Sequence, residues 1–173
     1  NQQNVMNTFD IAERVEKAKR LFKEEGYNCC QAVVLAYNDI FGIDDETAAS
    51  ISSGFGGGMG RMREVCGSVS GMIILAGMVS PAADPSDKTG RTRNYALVQD
   101  VAAEFAKMNG SIICRELLGL VPMGSRMNGP KESPEPSDRT AEYYRKRPCE
   151  ELVGMSARII GERIKGYLAV KKD

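Results

Sequence analysis

Between Phe9 and Glu25 the apolar residues Ile11, Val15, Ala18, Leu21 and Phe22 recur at helical spacing, with charged residues between them. This pattern predicts an amphipathic helix stopped by Gly26. Cys29 to Phe41 is apolar on most sides (Ala32, Val33, Val34, Leu35, Ala36), which predicts a buried helix capped by Asn28. Gly42 ends it. Asp44 or Asp45 caps a third helix reaching about Ser53, with Glu46 adding negative charge to its first turn. The run Gly54-Phe55-Gly56-Gly57-Gly58-Met59-Gly60-Arg61 holds too much glycine for a helix interior and predicts a tight loop. Residues 64–79 predict a fourth helix beginning near Glu64 and Cys66. Its Gly67 and Gly71 lie one turn apart, placed for close approach of a neighbouring helix. A long fifth helix runs from about Asp87 to Met108 and is closed by Asn109-Gly110. Cys114 to Leu118 is a short helix, residues 122–138 are loop-like, and a last helix runs from about Pro148-Cys149 to Ala169. Pro148 suits a first helical position. No segment alternates with period two, and there is no internal repeat or heptad run.

The expected fold is therefore all-α: a compact bundle of about five to seven helices, with a glycine-rich loop and one long irregular loop. It occupies one domain, residues 9–173, with a loop insertion at about 120–140. Residues 1–8 are expected to be an N-terminal extension, with Met6 a candidate native start and Asn1 to Val5 left over from cloning.

Composition narrows the chemistry. The chain has 23 basic and 23 acidic residues, so charge gives no reason to expect a nucleic-acid partner. The longest apolar run, Met72 to Val79, is far short of the roughly 20 residues that span a bilayer. No basic-then-apolar signal peptide opens the sequence. The expectation is a cytoplasmic protein that engages neither membrane nor nucleic acid. Histidine is absent. That removes the usual general base, Ser-His and Cys-His catalysis, and every histidine-containing metal site. Tryptophan is absent too and aromatics are only 6%, which argues against a stacking platform for single-stranded nucleic acid.

What remains is cysteine, at positions 29, 30, 66, 114 and 149. No Cys-x-x-Cys occurs, so neither a thioredoxin-type motif nor a zinc ribbon is present. Any shared site must be assembled by the fold. Cys29, Cys66, Cys114 and Cys149 each fall at or near a predicted helix start, where unpaired backbone N–H groups and the helix dipole favour a thiolate. Cys30, beside Cys29, points elsewhere on the same helix and reads as a core residue. The plain alternative is that all five are small buried hydrophobes.

Several segments carry a resemblance. Gly26-Tyr27-Asn28-Cys29 with Gln31-Ala32, then Ser53 through Arg61, then Cys66-Gly67-Ser68-Val69-Ser70-Gly71, then Cys114-Arg115-Glu116-Leu117-Leu118-Gly119, and lastly Cys149 occur in order. Together they resemble the redox-active C_GCAxxG_C_C proteins. The resemblance covers about residues 12 to 165. Ser68 stands where the family motif has alanine, and the stretch from 122 to 148 is longer than usual. The resemblance implies that Cys29, Cys66, Cys114 and Cys149 are the functional set, with redox activity but no defined reaction.

Three function classes stay open. The four thiols perform reversible disulfide exchange with a redox partner. Or they hold an iron–sulfur cluster or another thiolate-bound metal, with the same four cysteines as ligands. Or the chain is a helical binding or assembly protein with inert cysteines, a homodimer in which Gly67 and Gly71 meet another subunit. The glycine loop adds a secondary candidate: Gly56, Gly57, Gly58 and Arg61 could form an anion-binding nest, although a structural role beside the cysteines is favoured. No Walker A or dinucleotide fingerprint fits it.

Overall fold

Asp10 caps the first helix by accepting hydrogen bonds from the amides of Ala12 and Glu13. This computed structural model describes residues 9–171. The expected extension at 1–8 lies outside them. The first helix, α1 (Ile11–Lys23), buries Val15, Ala18, Leu21 and Phe22, the stripe its sequence spacing dictates. Asn28 and Gln31 form a reciprocal capping box that starts α2 (Cys29–Leu35). That helix is shorter than its apolar run suggests. Tyr37 anchors its phenol on the carbonyl of Ala157 at 2.7 Å, and Asn38 donates to the carbonyl of Ile43 and to Asp45. These tertiary anchors pull the backbone out of the α-helix, and residues Asn38–Phe41 form a separate 3-10 turn ended by left-handed Gly42.

Asp44 caps α3 (Asp45–Ser52) through the amide of Thr47. The glycine loop follows. Gly57, Gly58, Met59, Gly60 and Arg61 all have positive φ, as does Arg63. This left-handed turn is open to glycine and costs an ordinary residue roughly 1–2 kcal/mol.

Four helices complete the core-forming set: α4 (Gly67–Val79), α5 (Lys88–Asn109), the short α6 (Cys114–Leu117) and the long C-terminal α8 (Cys149–Val170). Between α6 and α8 lies α7 (Ala141–Lys146), capped by Thr140. The described residues thus hold eight helices rather than five to seven; α7 sits in a stretch whose prolines and charges read as irregular. The start of α4 also shifts. Glu64 is not helical, because Cys66 N–H donates to Ile112 O and Cys114 N–H donates to Glu64 O, an isolated antiparallel bridge centred on Val65 and Ile113. Pro148 is the cap of α8, not its first residue.

The core lies where α8 packs on α1, and α4 packs on both α2 and α8; α5 covers α4 from outside. Among the described residues no helix is long and apolar enough to cross a membrane. Gly67 and Gly71 are contact points, as expected, but with α2 of the same chain. A Cβ on Gly71 would sit 2.8 Å from Val33 Cβ and 3.1 Å from the Cys30 carbonyl oxygen. No room for a second subunit remains at those two positions.

Gly71→Ala is therefore expected to lower stability by about 1–3 kcal/mol through overpacking, despite alanine's better helix propensity. Urea unfolding followed by circular dichroism reads this, and an unchanged or raised midpoint would contradict the close packing described.

Candidate functional site

The helix starts converge. Cys29 is the first residue of α2, Cys66 caps α4, Cys114 opens α6 and Cys149 opens α8. The bridge between residues 64–66 and 112–114 sets Cys66 and Cys114 on the same side of a two-strand pairing, since each stands one residue from the bridged pair and so on the face opposite to it. The capping box holds Cys29 beside Gly67, where a Cβ would lie 3.0 Å from Cys29 Sγ. The result is one small cavity of about 50 Å³ lined by all four cysteines, with Arg63, Tyr143 and Arg147 also on its wall. Such a volume suits a few waters rather than a large ligand.

Cys66 and Cys114 are buried, whereas Cys29 and Cys149 are partly exposed; all five thiols are free. Burial pushes the Cys66, Cys114 and Cys149 thiols up from the ordinary range, and negative charge on Cys29 raises each of them further. The helix starts therefore do not favour thiolates at Cys66, Cys114 and Cys149, contrary to expectation. For these three residues, loss of solvent outweighs the helix terminus. Two local groups counter the rise. Ser68 Oγ lies 3.2 Å from Cys66 Sγ and accepts from Ser156 Oγ at 2.9 Å, which leaves its own proton available to the sulfur. Arg63 approaches Cys114 Sγ at 3.9 Å and lowers that thiol's pKa, as does the more distant charge of Arg147. Cys30 is fully buried beneath α4, does not line the cavity, and is raised chiefly by burial.

The glycine loop closes the site from one side. A Cβ on Gly58 would collide with Cys114 Cβ at 2.7 Å and with the Glu64 amide at 2.8 Å; one on Gly56 would collide with the Asn28 side chain. Only glycine lets the loop pass so near Cys114 and the Asn28 cap. Arg61 points away to Glu132 and Ser137, and Arg63 shares Glu132 at 2.7 Å. These contacts tie the long loop over the cavity. Arg139 fastens it further by donating to the carbonyls of Phe22 and Tyr27.

A family model described as "Putative redox-active protein (C_GCAxxG_C_C)" matches residues 27–163. The chain belongs to that family. Its description makes redox activity the coarse function of the four-cysteine domain. No curated protein and no solved structure matches the chain. The alanine position of the family motif is Ser68, and here it is the residue that touches the Cys66 sulfur. The sequence marks Ser68 only as a departure from the family motif and gives no role to Ser156, Arg63, Glu132, Arg139 or Arg147. The one legible signal was the basic cluster Arg145-Lys146-Arg147 immediately before Cys149.

The raised thiols set a pH dependence. Above about pH 8.5 an unfolded thiol ionises while its buried counterpart keeps its proton. The unfolded state then binds fewer protons, so stability falls as pH rises. The urea midpoint is expected to drop between pH 7 and pH 10, and to drop less in Cys66→Ala. Equal drops in both proteins would remove Cys66 from this account.

Proposed function

We propose that the chain is a thiol–disulfide redox protein in which Cys29 is the exchanging cysteine and Cys66, Cys114 and Cys149 are the thiols that resolve it. The carrying observation is that all four line one cavity and that charge on Cys29 bears on each of the other three. Partial exposure gives Cys29 access to a substrate, and burial keeps Cys66 and Cys114 protonated and inert until an adjacent sulfur is oxidised.

The exchange balances as follows. The Cys29 sulfur attacks one sulfur of a partner disulfide; a new sulfur–sulfur bond forms, the partner's own bond breaks, and one partner thiol leaves. A second cysteine sulfur then attacks Cys29, forming the internal disulfide and releasing the second partner thiol. Two electrons pass from the protein to the partner, and the two thiol protons end on the released thiols. Such a pair rests reduced in a reducing compartment, which fits the cytoplasm.

A second reading is an iron–sulfur cluster or another thiolate-bound metal. It draws on the same four sulfurs around one cavity and on the absence of histidine. Among the described residues, however, no three Cys, Asp or Glu groups stand as a metal-ligand set. As placed, the side chains do not fit a metal. The inert-cysteine alternative, a helical assembly protein, loses the intersubunit use of Gly67 and Gly71, which α2 already fills.

The test is a thiol count on protein purified without oxygen, with iron, zinc and acid-labile sulfide measured on the same sample. Mild oxidation is expected to remove two titratable thiols, reversibly. Cys29→Ser is expected to abolish that loss, and Cys30→Ala to leave it unchanged. Iron with matching sulfide and a visible absorption band would replace this reading with the cluster. Unchanged thiol counts in a metal-free sample would leave the cysteines inert.

A further inference from the structure

Beside the cysteine cavity lies a second, larger cleft of about 360 Å³, within the range of small-molecule sites. The two share Asn28, Gly57, Arg63, Arg139, Tyr143 and Arg147 on their walls, so one opens against the other. The cleft is also lined by Arg61, which puts four arginines on its wall. Among the described residues only one carboxylate, Glu132, pairs with any of them, and it takes Arg61 and Arg63 together. Arg139 spends its hydrogen bonds on neutral carbonyls and the Tyr144 hydroxyl. Arg147 lies 4.6 Å from the centre of the Tyr143 ring and has no carboxylate partner among the described residues. The Nε groups of Arg61 and Arg63 are buried without a hydrogen-bond partner, and Arg63 itself is 6% exposed.

Uncompensated cations around a partly enclosed space are costly unless an anion enters it. Planar guanidinium forks match a carboxylate better than any neutral group does. We propose that this cleft is the docking subsite for the anionic end of the redox substrate, and that the substrate is a small carboxylate-bearing disulfide. Seated on Arg147 and Arg61, such a molecule presents its sulfur–sulfur bond to the adjoining cysteine cavity. The substrate class rests on the thiol–disulfide reading above; the anion subsite itself does not. Arg147 is the natural probe, because it can be changed without breaking the Arg61–Glu132–Arg63 tether or the Arg139 contacts.

The experiment follows single-turnover oxidation of the fully reduced protein by 3,3′-dithiodipropionate, a dianion, and by bis(2-hydroxyethyl) disulfide, which is neutral and of similar length. In parallel, adipate, which carries no sulfur, is titrated by calorimetry. The wild type is expected to prefer the dianion by about tenfold or more, the scale of one charge-assisted contact. Added salt should erode the preference. Arg147→Gln should remove most of that preference, read as the ratio of the two rates within the variant because Arg147 also bears on Cys114, Arg147→Lys should restore part of it, and adipate binding should follow the same order. Equal rates with both disulfides and no adipate binding would overturn the subsite while leaving thiol exchange standing. Adipate binding lost in Arg147→Gln, with neither disulfide consuming a thiol, would keep the anion subsite and overturn the disulfide substrate together with the exchange reading. Arg147→Gln slowing both disulfides equally would also overturn the subsite.

Discussion

The backbone pairing of residues 63–66 with 112–115 holds the rest of the site in place. The Cys66 and Cys114 amides donate across it at 2.8 and 2.6 Å, and the Arg115 amide and guanidinium both reach the Arg63 carbonyl. Because the pairing occupies these amides, α4 cannot begin before Cys66, and α6 begins at Cys114. The same pairing fixes Arg63 so that its side chain faces Cys114 and Glu132 at once. Remove the bridge and the sulfurs lose their common wall, the glycine loop loses the Glu64 amide that closes on Gly58 O, and Glu132 loses one of its two anchors.

Much of the framework was legible because it is local. Asp10, Asn28, Asp44 and Asp87 all cap helices through side-chain oxygens, and Asn28 and Asp44 stand where the sequence pattern puts a cap. Of the four cysteines, only Cys29 owes its helix-start position to such a cap; no side chain caps the helices at Cys66, Cys114 or Cys149. What escaped was set by distant partners. Nothing near Tyr37 says that its phenol will be held by Ala157, and so α2 ended early. Nothing near Glu64 announces a bridge to residue 113. The charge state expected for the thiols failed for a related reason: a helix terminus can be inferred from sequence, whereas burial depends on how the elements pack.

Two opposing environments meet across a shared wall. On one side, packed helices bury the Cys66, Cys114 and Cys149 thiols and hold them neutral; on the other, arginines line a larger cleft. Arg63 and Arg147 belong to both, easing the burden on Cys114 from the cavity side while adding to the cationic excess on the other. Ser68 and Ser156 offer Cys66 a comparable but uncharged support from within the core. The sulfurs are thus not equivalent, although their backbone positions are alike.

Arg139 reaches back to the Phe22 and Tyr27 carbonyls across more than half the chain. That reach imposes an order on synthesis. Cys29 and Cys66 leave the ribosome long before the segment that roofs them, and at about 5–20 residues per second they wait several seconds uncovered. During that interval Cys29, Cys30 and Cys66 are ordinary exposed thiols on a growing chain. Which sulfurs meet first is then decided by the surrounding redox poise, and only arrival of the last helix hands that choice to the fold.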